Sequence, residues 1–244
     1  MTGIISAMQE EIQALLNQLE NVSTTKKGMR EYYCGTLFNK KVVLVFSRWG
    51  KVASAATTTQ LINDFNIDEI IFTGVAGGIK EHLNIGDVVI GKHLYQHDLD
   101  ARPFYNQFEI PILKNKYLET KDTTNLLNAT HNFIDCYGEF VSKTEAEVFD
   151  IYAPKVILGD IASGDQFISS LEKIAHLNKL LPTTTCVEME GAAVAQICYE
   201  YNMPFSIIRI ISDKANDNAT IDFARFANTI ASNYALGILK NYFA

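Results

Sequence analysis

Several carboxylates and one arginine sit where a folded chain could put them to chemical use. Cys186 to Gln196, CVEMEGAAVAQ, carries Glu188 and Glu190 from an apolar strand into the first turn of an Ala-rich helix. Their i, i+2 spacing puts both acids on one face of a strand, and Gly191 allows a tight turn into helix 192–201. A carboxylate there meets unpaired N–H groups and the positive end of a helix dipole, which favour its ionised form. A Glu at a helix start is commonplace, but the next segment adds to it. In MPFSIIRIISDKA, Met203 to Ala215, a buried-strand pattern ends in Arg209, Ser212 and Asp213. Charges at the end of a buried strand mark a ligand crevice. Near the N-terminus, Glu10 and Glu11 open a predicted helix, where dipole complementation would explain either acid alone.

Other side chains could build the walls of such a crevice. The strand Asp68–Thr73 runs into GVAGGI, Gly74 to Ile79, where Gly77 and its neighbours permit close backbone approach beside Val75. Neither G-x-G-x-x-G nor the Walker lysine is present, so the turn has no dinucleotide or P-loop signature. Trp49 lies in a loop, either as a packing residue or as an aromatic wall for a flat ligand. SGDQFI, Ser163 to Ile168, is a turn presenting Phe167 and Ile168. The segment His93 to Leu113 is polar, aromatic and Pro-punctuated, a lid over a pocket or an oligomer contact. Its histidines lack metal-ligand spacing, so no metal is expected.

The elements that must position these groups follow from periodicity. Strands are predicted at 3–7, 32–38, 41–47, 68–73, 87–91, 136–142, 155–162, 186–190 and 203–213. Helices are predicted at 8–19, 52–64, 117–134, 169–180, 192–201 and 223–242, with 143–155 a surface connection. Asp217 to Thr220 reads as loop and Asp222 as the N-cap of the last helix. Such alternation specifies one α/β domain over 1–244, three layers deep, α/β/α, around a mostly parallel or mixed central sheet.

Composition narrows the partners. The chain of 244 residues is 48% hydrophobic, enough for a large single core. A net charge of −7 without any basic run argues against nucleic acid or an anionic membrane and for small-molecule chemistry. Cys34, Cys136, Cys186 and Cys198 stand singly, as reduced core residues do. The first residues acquire charge at once, unlike a signal peptide, and no stretch reaches transmembrane length, so the expected location is the cytoplasm.

Seven blocks together resemble the 5′-methylthioadenosine/S-adenosylhomocysteine nucleosidases of the nucleoside phosphorylase superfamily. They are GIISAMQEEI (3–12), GKVASA (50–55), FTGVAGGI (72–79), NIGDVVI (84–90), ASGDQFI (162–168), VEMEGAAVAQ (187–196) and RIISDKA (209–215). Residues 114–155 match poorly. The resemblance implies a nucleoside phosphorylase-like fold and hydrolysis of the bond between adenine and a 5-thio-substituted ribose, in methionine salvage, without a cofactor. By the same resemblance Asp213 is the acid at adenine N7, Glu11 the base that activates water, and Glu190 the residue at the ribose hydroxyls facing the developing cation. Met189 packs beneath the sugar, Phe167 stacks on adenine, and the Ile168 backbone reads its edge. Glu188, Arg209 and Ser212 are neighbours, with Arg209 helping to position water.

Two positions depart from the pattern: Trp49 stands where many members carry a small aliphatic residue, and Val75 where many carry serine. Phe104, Tyr105 and Phe223 are expected near the 5′ pocket, which the family closes with a neighbouring subunit, implying a homodimer. A phosphorylase of the same fold and a hydrolase of a related nucleoside, such as futalosine or 5′-deoxyadenosine, remain alternatives. A binding-only protein would be expected to have lost a carboxylate, and all three are present.

Overall fold

The computed structural model describes residues 1–215 and 219–244, and of Ile221 the backbone alone. Short apolar runs become strands and the stretches between them become helices. The order is β1 (Thr2–Ser6), α1 (Gln13–Asn17), β2 (Glu20–Lys27), β3 (Arg30–Leu37), β4 (Lys40–Phe46), α2 (Lys51–Asp64), β5 (Glu69–Gly78), β6 (Val88–Gln96) and β7 (Leu118–Glu119). There follow α3 (Thr124–Asp135), α4 (Lys143–Val148), β8 (Val156–Ser163), α5 (Leu171–Leu180), β9 (Thr184–Glu188), α6 (Gly191–Glu200), β10 (Phe205–Asp213), α7 (Ala219–Thr229) and α8 (Ala231–Phe243).

All strands join one mixed sheet, and its centre closes on itself. β5 runs parallel to β10, from Ile70 opposite Phe205 to Gly77 opposite Asp213, and β10 runs antiparallel to β6. β6 and β9 both lie parallel to β8, and β9 returns to β5 where Val187 faces Gly77. Outward from β5, the strands β1, β4, β3 and β2 extend the sheet. One face packs against α1, α3, α7 and α8 through Leu15, Phe133, Phe226 and Ile238; the other packs against α2 and α6 through Leu61 and Val194. This is the expected three-layer arrangement. Its consequence for chemistry is that β5, β8, β9 and β10 end close together.

Local departures from the sequence reading have physical causes. Residues 8–12 are turns and not helix, because the Glu11 side chain folds back onto the N–H groups of Ala7 and Met8. The expected strand at 136–142 is a single 3-10 turn, Tyr137–Glu139, with Phe140 packed on Phe133. Only Leu118–Glu119 and Thr124–Asp135 are regular in the predicted helix 117–134. β2 escaped notice because ENVSTTKK is a largely exposed edge strand with no apolar alternation. α4 opens with a Ser142–Glu145 capping box inside the supposed connection. The closing helix breaks at Ile230 into two, and Asp222 lies in the first turn of α7, not at its N-cap. Of Asp217 to Thr220, read as loop, Ala219 and Thr220 belong to α7, and Asp217 and Asn218 lie outside the described residues.

Candidate active site

The crevice forms where β1, β5, β9 and β10 end, and its carboxylates are buried for different reasons. Glu11 lies in the turn after β1 and is only 3% exposed. Its Oε2 accepts hydrogen bonds from the Ser6 hydroxyl, the Ala7 N–H (3.1 Å) and the Met8 N–H (3.0 Å). Its Oε1 accepts from the Val75 N–H of β5 at 2.9 Å. A Cβ at residue 74 would stand 2.9 Å from that Oε1, so Gly74 is what admits the carboxylate. Burial raises the Glu11 pKa, against the pull of Ser6, the backbone N–H groups and Arg209.

Glu188 and Glu190 divide the work expected of both. Glu188 bends back over the start of α6, accepting from the N–H groups of Glu190 (3.0 Å) and Gly191 (2.8 Å). It also accepts from the Ser163 hydroxyl, and from Arg209 through Nε (3.2 Å) and Nη2 (2.6 Å). Arg209 is 1% exposed, with its guanidinium 4.1 Å above the Phe72 ring, so this buried ion pair is fully enclosed. Glu190 is left facing the cavity, with one acceptor contact, from the Gly50 N–H at 2.7 Å. The helix start was expected to favour an ionised acid. At Glu190 burial wins, followed by repulsion from Glu188, and the pKa is pushed up to about 8.

Asp213 ends β10. Its Oδ2 accepts from the Ser212 hydroxyl (2.8 Å) and its Oδ1 from the Ala215 N–H (2.8 Å), while a Cβ at residue 77 would come within 3.0 Å of Oδ1. Burial raises its pKa above the usual carboxylate range.

These groups line one cavity that opens to solvent. Glu11, Val75, Gly77, Glu188, Met189, Glu190, Ser212 and Asp213 form its floor and sides. Phe167, Ile168, Trp49 and Phe223 also line it. Phe223 meets the Phe167 ring edge-on at 5.7 Å and the Trp49 ring at 5.9 Å, making an aromatic wall from three distant segments. Arg209 does not reach the cavity and acts from behind Glu188. Phe104 and Tyr105 are not brought to the cavity of the same chain; Phe104 is 88% exposed. Sequence reasoning missed Ala7, Met8, Ala76, Gln166 and Val187 as lining residues, and Ser6 and Ser163 as donors to Glu11 and Glu188. Adjacency to the quoted blocks was the available signal. Among the described residues, no three His, Cys, Asp or Glu side chains are grouped to hold a metal ion, and no helix is long and apolar enough to cross a membrane.

With the fold and site in place, the chain matches the phosphorylase superfamily over residues 2–244. A 5′-methylthioadenosine/S-adenosylhomocysteine nucleosidase of Staphylococcus aureus is 38% identical over 232 residues, 95% of this chain and 94% of its own. The chain belongs to that nucleosidase family. Among solved structures, the nucleosidase of Neisseria meningitidis, in complex with methylthio-immucillin-A, superposes with a TM-score of 0.83 at 35% identity, covering 99% of this chain and 97% of that one. The futalosine hydrolase of Helicobacter pylori gives a TM-score of 0.82 at 32% identity, covering 99% and 96%.

Proposed function

We propose that this chain hydrolyses the N-glycosidic bond of 5′-methylthioadenosine and S-adenosylhomocysteine, releasing adenine and the 5-thio-substituted ribose. As the C1′–N9 bond breaks, its electron pair passes to the purine and positive charge grows on the sugar. Asp213, whose pKa is raised by burial, donates to adenine N7. Glu190 binds the ribose hydroxyls and faces the developing cation. Water adds to C1′ and gives its proton to Glu11, whose raised pKa makes it a better base than an exposed carboxylate. Met189 packs beneath the sugar, and Phe167 stacks on the purine while the Ile168 backbone meets its edge. Arg209 holds Glu188 against the start of α6, and this fixes the segment that carries Met189 and Glu190.

One observation carries the choice of water over phosphate. Phosphate would need backbone N–H groups and a hydroxyl from the ends of β1 and β5. Those donors, Ser6, Ala7, Met8 and Val75, all point to the carboxylate of Glu11. The anion site is filled by the protein's own acid, which would repel a second anion. Adenine release from methylthioadenosine is therefore expected at full rate in phosphate-free buffer; strict dependence on phosphate, with a ribose 1-phosphate product, would reject the reading.

The likeness to a futalosine hydrolase supports a second reading, in which a related nucleoside is preferred. Parallel assays with futalosine and 5′-deoxyadenosine separate the two by which releases its base fastest. Methionine salvage in the cytoplasm is the setting such a reaction implies. A homodimer completes the proposal: Phe104 is exposed and does not line the pocket of its own chain, which supports a role at a neighbour's. Sedimentation showing only monomer at assay concentrations would remove that element.

A further inference from the structure

Three segments remote in sequence meet at the rim of the cavity. The Lys51 backbone N–H, at the start of α2, donates to Asp165 Oδ1 at 2.8 Å. The Asp165 N–H donates to Asp98 Oδ2 at 2.9 Å, and Lys51 Nζ returns to Asp98 Oδ1 at 2.6 Å, closing a ring. Lys51 Nζ also reaches Gln96 Oε1 at 3.2 Å, and Gln96 Nε2 donates to Gln196 Oε1 of α6 at 2.7 Å. The Lys51 and Asp98 side chains are 18% and 17% exposed, sheltered enough for a charge-assisted bond to hold geometry. Asp98 is kept below the usual carboxylate range: burial opposes this, and Lys51 and the Asp165 N–H overcome it.

What the ring holds gives it a role. Gly50, next to Lys51, supplies the N–H that bonds Glu190 at 2.7 Å. Asp165 sits two residues before Phe167 and three before Ile168. Gly50 adopts φ +93°, and a Cβ there would lie 2.9 Å from Asp165 Oδ1, so the two loops are in direct contact. One ring thus fixes the loop that orients Glu190 and the loop that carries Phe167.

We propose that Lys51, Asp98 and Asp165 form a clasp of positioning residues that sets the spacing between the sugar-binding and base-binding sides of the site. They touch no reacting atom. The inference rests on the nucleosidase reading above. Opening the clasp frees Gly50, and Glu190 loses the N–H that favours its ionised form. Glu188, Arg209 and Glu11, the other charged groups acting on Glu190, stay in place. The acidic limb of the kcat/KM profile then moves to higher pH.

The test compares Lys51→Met, Asp98→Asn, Asp165→Ala and Asp165→Asn, with Lys143→Met on exposed α4 as control. In Lys51→Met, Asp98→Asn and Asp165→Ala, KM for methylthioadenosine is expected to rise roughly 5- to 30-fold, the yield of one lost charge-assisted bond. The acidic limb should rise with it. Asp165→Asn keeps an acceptor for the Lys51 N–H and should recover most of the loss. The double variant Lys51→Met/Asp98→Asn should be no worse than either single. Lower melting temperatures with KM and the acidic limb unchanged would overturn the clasp, as would a double variant whose loss is the product of the singles. Adenine binding, followed by Trp49 fluorescence, distinguishes the two levels. A wild type that neither binds adenine nor cleaves the nucleoside removes the functional reading and the clasp with it. A wild type that does both, matched by its variants, overturns the clasp alone.

Discussion

Replacing Glu190 with Gln should stabilise the protein while disabling it, and the gain should depend on pH in a calculable way. The Glu190 carboxyl moves from an ordinary pKa of 4.5 to about 8 on folding. The folded state therefore holds a proton that the unfolded chain releases, and stability falls as pH rises from 4.5 to about 8. Applying linkage to those two values, the group costs under about 1 kcal/mol at pH 5 and about 4 kcal/mol at pH 8, so the wild type loses about 3 kcal/mol across that window. Gln cannot ionise, and its Oε1 can still accept the Gly50 N–H now held at 2.7 Å. Thermal unfolding of both proteins at pH 5 and pH 8 measures the difference. Glu190→Gln should melt about 8 to 16 °C above wild type at pH 8 and within a few degrees of it at pH 5. Adenine release should fall in the same variant, since Gln cannot ionise opposite the developing sugar cation. Parallel melting curves against pH for the two proteins would refute the claim that burial of Glu190 is costly.

Asp213→Asn should fold, since Asn can still accept the Ala215 N–H, yet lose about 10² to 10⁴ in adenine release, the contribution of a general acid; activity within a few-fold of wild type would put the acid elsewhere. Trp49→Ile should change the activity ratio between methylthioadenosine and S-adenosylhomocysteine more than it changes the melting temperature, because Trp49 is 53% exposed at the cavity mouth. A constant ratio would show that Trp49 does not meet the 5′ substituent.

The layered fold was legible because buried strands such as EIIFTGVAGG and FSIIRIISD announce themselves by continuous apolar character. Spans failed where a side chain or an edge overrode the pattern. Glu11 replaces the first helical turn with its own carboxylate, and β2 pairs at an exposed edge that no apolar periodicity marks. Much of the cavity was legible for the same reason the strands were: their ends can be placed, and Val75, Gly77, Glu190 and Asp213 sit at those ends. The Phe223 contact with Trp49 and Phe167 joins segments more than fifty residues apart, and no local spacing encodes it. The clasp was hidden similarly, since two of its three bonds come from backbone N–H groups that any residue would supply.

The pair Glu188 and Glu190 shows why spacing alone misassigns roles. Two residues apart on a strand, they should share a face and an environment. The strand ends at Glu188, and Glu190 already has the dihedrals of the α6 N-cap, φ −134° and ψ −38°. Glu188 therefore takes the helix-end N–H groups and the Arg209 guanidinium, spending its charge inside the fold. With those donors engaged, Glu190 has one N–H contact, burial without a counter-ion in contact, and a like charge nearby. A carboxyl so placed gains from any partner that offers hydroxyl donors or positive charge, and a ribose turning into a cation offers both in succession. Under the proposed function, the strain at Glu190 and an affinity for a developing sugar cation have one electrostatic cause, the saturation of Glu188.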